Sequence, residues 1–349
     1  MTVTILTGDS RELLKTLPDK SAQCCVTSPP YWRQRDYGVS GQIGLEQTPD
    51  EYVDELIAIF SEVRRVLKDD GTLWVNIGDK WASGGNGGGG SFMKTRGDAW
   101  SHAKGATGWR SPPLGYKDKD LVGVPWMLAF ALRADGWFLR QCNVWAKPNC
   151  MPESVSDRTT ISHEYVFHLS KCNSYFYNID SARTPGTPSS ETRLAQNIAG
   201  QDGSTRANGA GKTNGTMKAV SRKSEKQRGH SRKHDGFNER WDGMSRDEQM
   251  MKGANLRSVW WISPAQYRDG HYAVMPDALA EICIVAGSRE GDTVIDPFGG
   301  AGTTGLVADR LRRNAILCEL NPEYAAMARR RINDDAPLFA TPTVNPVQP

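Results

Sequence analysis

Residues 293–304 read Thr293-Val294-Ile295-Asp296-Pro297-Phe298-Gly299-Gly300-Ala301-Gly302-Thr303-Thr304. The first three residues form a short apolar run that is typical of a buried strand, and a helical pattern follows the last glycine to about Leu311. Tight glycines between a strand and a helix allow a ligand to approach the backbone closely. The stretch therefore predicts an α/β unit with a ligand site at the carboxyl end of its strand.

Acidic residues at the tips of two further strands support a nucleoside site. Ala315 to Cys318 is predicted as a strand that ends at Glu319, about twenty residues after the glycines, where an acid can bind ribose hydroxyls. Near the other end of the chain, Val3 to Leu6 is predicted as a strand that is followed by Asp9. Asp9 is therefore a second candidate ligand residue.

A second motif, Thr27-Ser28-Pro29-Pro30-Tyr31-Trp32, directly follows the apolar run Ala22 to Val26. Ligands of open α/β sheets bind at the carboxyl ends of strands. Because proline has no backbone N–H, the carbonyl oxygens near Pro29 are expected to be free acceptors. A hydroxyl, free carbonyls and two aromatic rings suit a flat ring that carries an amino group, although a strand exit plugged by an aromatic side chain would have the same sequence.

Helices and strands alternate on both sides of these motifs. The residues from Thr48 open the clearest helix, with a cap, a proline in the first turn and apolar residues at helical spacing, and Asp70-Gly71 is expected to end it. Thr72 to Ile77 follows as a buried strand. The order strand, helix, strand is typical of a parallel α/β sheet.

Composition excludes some classes of protein. The 349 residues carry a formal net charge of +3 and no apolar run of the roughly 20 residues that cross a bilayer, so we expect no membrane association and a cytoplasmic location. The seven cysteines include no Cys-x-x-Cys pair, and we therefore expect no metal site and reduced, mostly buried thiols.

Two segments lack periodicity. Residues 82–116 are rich in glycine and are predicted to be a mobile functional loop. The second segment, Arg183 to Leu256, includes a stretch from Arg193 to Lys233 with ten Lys or Arg residues against two acids, which suits contact with phosphates and also suits a solvated loop.

The two motifs together resemble the beta group of DNA amino-methyltransferases. These enzymes carry a Ser/Asp/Asn-Pro-Pro-aromatic loop and a Phe-x-Gly-x-Gly loop, here Ser28-Pro29-Pro30-Tyr31 and Phe298-Gly299-Gly300-Ala301-Gly302. The catalytic motif precedes the cofactor motif, as in that permuted group. The resemblance implies a Rossmann-like class I methyltransferase fold: a circularly permuted α/β sheet, mostly parallel, with one antiparallel edge strand and an inserted target-recognition region.

The resemblance also implies a division of the chain. Residues 1–182 would form the catalytic half of the methyltransferase domain, 183–257 the target-recognition insertion, 258–335 the cofactor-binding half and 336–349 a flexible tail. The strand before Asp9 would lie beside the strand that ends at Glu319.

Roles for individual residues follow from the resemblance. S-adenosylmethionine would be the cofactor, and the residues that would hold it are Asp9, Asp296, Phe298, Gly300, Gly302, Thr303, Thr304 and Glu319. The catalytic residues would be Ser28, Pro29, Pro30 and Tyr31, and Tyr31, helped by Trp32, would stack on a base flipped out of double-stranded DNA. The DNA-binding candidates of the insertion are Lys212, Lys218, Arg222, Lys223, Arg228, Arg232 and Lys233.

The expected reaction is methylation of the exocyclic amino group of a base. In this family serine at the first motif position is associated with N4 of cytosine, so Ser28 favours cytosine, with N6 of adenine as the alternative. No cysteine precedes the proline pair, which argues against methylation at carbon 5 of cytosine.

Other functions remain open from the sequence. A Rossmann-type oxidoreductase would account for the glycines and Glu319, and a non-catalytic nucleic-acid binder would account for the insertion. A third alternative is a methyltransferase that acts on an amine of RNA or of a protein. A homodimer is compatible with the sequence, as is a prokaryotic or phage origin with or without a partner restriction endonuclease.

Overall fold

The computed structural model describes residues 1–82, 115–180, 182–184, 243–245, 248, 254–265 and 274–335. The chain divides into two compact units, one made of Met1–Ser181 and Arg257–Pro349 and the other of Ala182–Leu256. Most of the glycine-rich loop 82–116 and all of the tail 336–349 lie outside the described residues.

The larger unit contains an eight-stranded sheet and six helices among its described residues. It also contains a separate ladder of two short strands, β4 and β5. The elements of this unit, in chain order, are β1 Val3–Thr7, α1 Ser10–Leu13, β2 Ala22–Thr27, α2 Pro49–Val66, β3 Leu67–Ile77, β4 Trp81–Ala82, β5 Asp120–Leu121, α3 Val124–Ala134, β6 Phe138–Ala146, β7 His163–Ser170, β10 Val259–Trp261, α4 Asp277–Gly287, β11 Thr293–Asp296, α5 Thr303–Arg310, β12 Asn314–Glu319 and α6 Pro322–Asp335. In the smaller unit the described strands, β8 Arg183–Thr184 and β9 Ala254–Asn255, pair antiparallel.

The strands of the large sheet lie in the order β1-β12-β11-β2-β3-β7-β6-β10. All neighbouring pairs are parallel except those of β7, which runs antiparallel to both β3 and β6. The Rossmann-like, mostly parallel fold class is therefore confirmed. The expected edge position of the antiparallel strand is wrong, because β6 and the short strand β10 extend the sheet beyond β7.

Strands from opposite ends of the described chain meet in the sheet. Strand β1 pairs parallel with β12, in a register that sets Thr7 beside Glu319, and the Gly8 N–H donates to the Glu319 carbonyl at 2.9 Å. The expectation that these two strands are neighbours is confirmed. This pairing is what a circular permutation requires.

Helix α2 begins where its sequence predicts and ends earlier. Thr48 and Glu51 form a reciprocal capping box, and the buried side of the helix carries Tyr52, Leu56, Phe60 and others in the core beneath the sheet. The helix stops at Val66 rather than at Asp70-Gly71. Because Leu67 already pairs with Ala22, the extra residues are absorbed in β3 by a shift of register.

Helix α4 packs against the opposite face of the sheet through its last residue. Gly287 is buried, and a Cβ atom there would lie 2.5 Å from Cys24 Sγ, 2.8 Å from Thr72 Oγ1 and 2.9 Å from Trp74 Nε1. These neighbours belong to β2, which leads into the Ser28 loop, and to β3 beside it, so the absence of a side chain lets the helix end approach both strands.

We expect Gly287→Ala to destabilise the protein by about 1–3 kcal/mol, because the added methyl group forces apart closely packed atoms of two central strands. Urea unfolding followed by circular dichroism measures the change. Glu281→Ala, at an exposed position of the same helix, is the control and should change stability by less than about 0.5 kcal/mol. Equal stability of Gly287→Ala and the unchanged protein would contradict the proposed close contact.

Candidate active site

One cavity of about 260 Å³ lies at the carboxyl ends of the parallel strands. Both sequence motifs contribute to its wall, although they are separated by more than two-thirds of the chain. The predicted site residues that line it are Asp9, Ser28, Pro29, Pro30, Tyr31, Asp296, Phe298, Gly300, Thr303, Thr304 and Glu319.

The carboxylate of Asp296 connects the two motifs. It is 3% exposed and accepts hydrogen bonds from Thr27 Oγ1 at 2.6 Å, from Thr304 Oγ1 at 2.7 Å and from the Phe298 N–H at 2.9 Å. Burial raises the pKa of Asp296, and these hydrogen bonds oppose that effect. Thr27 immediately precedes Ser28, so the end of β2 is held to the end of β11 on the floor of the cavity.

Glu319 lies across the glycine turn. Its carboxylate accepts from the Gly300 N–H at 2.7 Å and from the Asn321 N–H at 2.8 Å. Burial raises the pKa of Glu319 to about 7, despite the lowering effect of these two donors. Ligand hydroxyls that donate to this carboxyl would favour its charged form and lower its pKa.

Gly302 occupies a different place from the one expected. Its φ is +80°, and a Cβ atom there would lie 2.7 Å from Ala328 Cβ in α6. The absent side chain thus permits a left-handed turn and the packing of α6 behind the loop. Gly302 shapes the loop from behind and is not part of the cavity wall, and its contact with the cofactor stays a prediction.

Asp9 lines the cavity and also caps α1 through the Arg11 N–H. Its Oδ2 pairs with Arg11 Nη2 at 2.6 Å, and the same guanidinium reaches Glu55 at 2.8 Å. Burial acts to raise the pKa of Asp9, but hydrogen bonds and charge from Arg11 outweigh burial and lower it. The carboxylate is consequently held in its ionised form at the cavity wall.

The Ser28 side of the cavity contains a polar cluster that includes residues absent from the sequence-based predictions. Tyr31 Oη donates to Glu164 Oε2 at 2.5 Å, and Asn76 Nδ2 donates to Glu164 Oε2 at 3.0 Å and to Tyr31 Oη at 2.9 Å. Lys147 forms an ion pair with Glu164 Oε1. Asn76 is the penultimate residue of β3, Lys147 directly follows β6 and Glu164 is the second residue of β7, and no local sequence pattern marks the three as neighbours.

Burial, followed by the nearby Glu164 carboxylate, raises the pKa of Tyr31 well above its ordinary value. Its hydroxyl is therefore protonated at neutral pH and available as a donor. The Pro30 carbonyl, expected to be a free acceptor, instead accepts from Tyr52 Oη at 2.7 Å. That bond fixes the proline loop onto α2.

Trp32 belongs to the core. Its ring is 3% exposed, and its indole N–H donates to the Glu46 carbonyl at 3.1 Å. The expectation that Trp32 helps Tyr31 stack on a base is wrong, because the ring is enclosed by core side chains and takes no part in the cavity wall.

The basic residues proposed to contact DNA lie outside the described residues. They are Lys212, Lys218, Arg222, Lys223, Arg228, Arg232 and Lys233. Of two aromatic residues that follow the insertion, Trp260 is buried in β10 and Trp261 is 74% exposed at the sheet edge.

In the part of the chain that is described, no helix has both the length and the apolar character required to cross a membrane. The same residues contain no grouping of three His, Cys, Asp or Glu side chains suited to a metal ion.

Two kinds of sequence comparison agree on the family. The family model described as DNA methylase, for N6 and N4 methyltransferases, matches residues 22–330. The Type II methyltransferase M.SmaI of Serratia marcescens is 41% identical over 329 residues, which cover 94% of this chain and 90% of that protein. The Type II methyltransferase M.Cfr9I of Citrobacter freundii is 38% identical over 332 residues, covering 95% and 88%.

Solved structures agree on the fold. TTHA0409 of Thermus thermophilus, determined in complex with S-adenosyl-L-methionine, superposes with a TM-score of 0.57 at 21% identity and covers 99% of both chains. The PvuII DNA methyltransferase, which is cytosine-N4-specific, superposes with a TM-score of 0.56 at 20% identity over 96% of this chain and 91% of its own.

These matches exclude the oxidoreductase and the non-catalytic binder. The family model spans both motifs and the sequence between them, and the relatives match nearly the whole chain. The chain therefore belongs to the N6/N4 DNA methylase family, whose members methylate exocyclic amino groups of DNA bases.

Proposed function

We propose that the cavity binds S-adenosylmethionine on its glycine-loop side and a base flipped from double-stranded DNA on its Ser28 side, with N4 of cytosine as the methyl acceptor. The observation that carries this proposal is the joining of both motifs around one cavity by the hydrogen bonds of Asp296. N6 of adenine is the alternative acceptor.

The residues of the glycine-loop side fit the proposed cofactor. Glu319 offers a partly buried carboxylate to ribose hydroxyls, and backbone groups of the glycine turn lie beside it. Asp9 and Phe298 stand on the wall of the same cavity, where we place the adenine, and Thr303 and Thr304 face the position proposed for the methionine part. When bound, S-adenosylmethionine supplies an electrophilic methyl group on a sulfonium sulfur.

The Ser28 side fits an amine that needs orientation rather than deprotonation by a strong base. The exocyclic nitrogen of a base donates its lone pair into the ring and is a poor nucleophile. Ser28 Oγ and the Pro29 carbonyl would accept its two protons and favour a tetrahedral nitrogen whose lone pair points toward the methyl group. Tyr31, which lines the same cavity, would stack on the ring.

The preference for cytosine depends on Ser28. Ser28 is the first residue of the Ser-Pro-Pro-Tyr motif. In the beta group that the chain resembles, serine at this position is associated with cytosine. The PvuII enzyme, described as cytosine-N4-specific, shares the fold, but at 20% identity it supports the fold and not the base.

The wider setting of the reaction is also a proposal. We place the seven basic residues of the insertion on DNA phosphates and the enzyme in the cytoplasm of a prokaryotic cell. The names of the relatives M.SmaI and M.Cfr9I, both Type II methyltransferases of bacteria, support the pairing of this enzyme with a restriction endonuclease of the same recognition sequence.

We expect Tyr31→Ala to lower the single-turnover rate of methyl transfer to duplex DNA by at least about 100-fold, because stacking on the flipped base, worth about 1–3 kcal/mol, is lost together with the hydroxyl. Incorporation of a tritium-labelled methyl group into DNA measures the rate. Binding of S-adenosylmethionine, measured by calorimetry, should remain within about twofold. A variant that methylates DNA at the rate of the unchanged enzyme would rule out base stacking by Tyr31.

The raised pKa of Glu319 predicts a pH-dependent affinity for ribose-containing ligands. Ribose hydroxyls donate to the ionised carboxylate, so binding lowers the pKa of Glu319 from about 7 and the affinity falls as the pH drops below that value. We expect adenosine, which has the ribose without the titratable amino-acid part, to bind about tenfold more weakly at pH 6 than at pH 8.

Calorimetry at several pH values provides the measurement for adenosine, and Glu319→Gln is the control. The glutamine variant should bind adenosine with an affinity that does not change over this range. A pH-independent affinity of the unchanged enzyme would contradict a role of Glu319 at the ribose.

A further inference from the structure

We infer that Glu164 is a positioning residue that sets the direction of the hydrogen bonds at Ser28, so that the Ser28 hydroxyl presents a lone pair to the amino group of the substrate. The inference rests on the proposed function, because it concerns how Ser28 accepts a proton of the exocyclic amine. Glu164 is contributed by β7 and is 136 positions from Ser28 in the sequence, outside both motifs.

A chain of two hydroxyls leads from Ser28 to Glu164. Ser28 Oγ lies 3.5 Å from Tyr31 Oη, and Tyr31 Oη lies 2.5 Å from Glu164 Oε2. An ionised carboxylate only accepts hydrogen bonds, so the Tyr31 proton must point toward Glu164. The lone pairs of Tyr31 Oη are then available to the Ser28 proton, and the direction of the chain is Ser28 to Tyr31 to Glu164.

Lys147 maintains the acceptor character of the carboxylate. Its ammonium pairs with Oε1, the oxygen that faces away from Tyr31, and its side chain is 21% exposed against 15% for that of Glu164. The low exposure of both partners limits screening of this ion pair by solvent.

Asn76 supports the same direction. Its side chain is buried, 3% exposed, and its Nδ2 donates to Glu164 Oε2 and to Tyr31 Oη, with a longer contact of 3.4 Å to Ser28 Oγ. The reverse orientation of the amide would bring its oxygen against the carboxylate, so the amide group can only donate to this cluster. Tyr31 Oη is therefore the acceptor that the cluster offers to the Ser28 proton.

The consequence for the reaction is an oriented serine. With its proton committed to Tyr31, Ser28 has a lone pair left for an N–H of the substrate, and the hydroxyl does not direct its own proton at the amine. This arrangement serves the amino group of cytosine and of adenine equally, so the inference does not depend on which base is methylated.

The substitution Glu164→Gln tests the inference because it keeps the size of the side chain and changes one acceptor into a donor. The Lys147 ammonium attracts the remaining oxygen, which places the new amide nitrogen on the Tyr31 side. That nitrogen donates to Tyr31 Oη and also faces Asn76, whose amide must turn to present Oδ1 in place of its Nδ2 donor. The Tyr31 proton then turns away from position 164 toward Ser28, and the Ser28 proton is displaced toward the substrate amine.

We expect Glu164→Gln to lower the single-turnover rate of methyl transfer by about 30-fold, because the loss of one hydrogen bond to a charged group has an effect of about this size. The Kd values for S-adenosylmethionine and for DNA should remain within about twofold, since Glu164 acts through Tyr31 and not on the ligands. Glu153→Gln is the matched control: it removes the carboxylate that pairs with Arg158 in the loop between β6 and β7, and its rate should equal that of the unchanged enzyme.

A double-mutant cycle with Tyr31→Phe separates this role from a merely structural one. Tyr31→Phe retains the ring, removes the hydroxyl that transmits the direction, and should lower the rate by about tenfold. In the Tyr31→Phe background, Glu164→Gln should cost less than about threefold further, because no hydroxyl remains to be reversed. Thermal unfolding midpoints of all variants report whether they fold.

Two results would overturn the inference while leaving the proposed function intact. One is a cost of Glu164→Gln that is the same with and without the Tyr31 hydroxyl. The other is a rate of Tyr31→Phe, or of Glu164→Gln, equal to that of the unchanged enzyme. If the unchanged enzyme transfers no methyl group to DNA, the proposed function fails and this inference fails with it.

Discussion

The hydrogen bond from Thr27 to the buried carboxylate of Asp296 is the interaction on which the site depends. Thr27 ends the strand that leads into the proline loop, and Asp296 ends the strand that leads into the glycine turn. Asp296 also accepts from Thr304 at the start of the helix after that turn. A carboxylate buried this deeply is stable only when it is fully hydrogen-bonded, and here the groups that satisfy it belong to the two loops that must face one another.

The acidic groups around the cavity differ in what remains available to a ligand. Asp296 is surrounded by protein donors and has a structural role. Glu319 receives two backbone N–H groups and retains a raised pKa of about 7, so a ligand that donates to it would change its charge. Glu164 pairs with Lys147 and accepts a hydrogen bond from the Tyr31 hydroxyl. We therefore propose that three acids at the cavity end of the sheet have separate roles: Asp296 holds the loops together, Glu319 binds the ribose and Glu164 orients the hydroxyls of Tyr31 and Ser28.

The parts of the fold that the sequence predicted are those with local signals. The Thr48 cap, the strand before Ser28 and the strand, glycine turn and helix around Asp296 are each specified within a few neighbouring residues. Glu319 was found because a fixed spacing of about twenty residues relates it to the glycines. The adjacency of β1 and β12 followed from the order of the motifs.

The remaining parts depend on pairing between distant segments. Asn76, Lys147 and Glu164 come together because β7 inserts antiparallel between β3 and β6, and no local pattern encodes that position. Trp32 was misassigned because an aromatic residue after a proline pair has the same sequence whether its ring faces a ligand or the core. The packing of Gly302 against Ala328 was missed for a similar reason, because a glycine in a loop has the same sequence whether a ligand or a helix approaches it.

The central claim is that this one cavity brings a methyl donor to the exocyclic amine of a DNA base. Mass spectrometry of the nucleosides from duplex DNA that has been treated with the purified enzyme and S-adenosylmethionine tests it most directly. We expect N4-methylcytosine, and N6-methyladenine in its place would correct the base while retaining the chemistry. DNA that contains neither product, or that contains 5-methylcytosine instead, would contradict the claim.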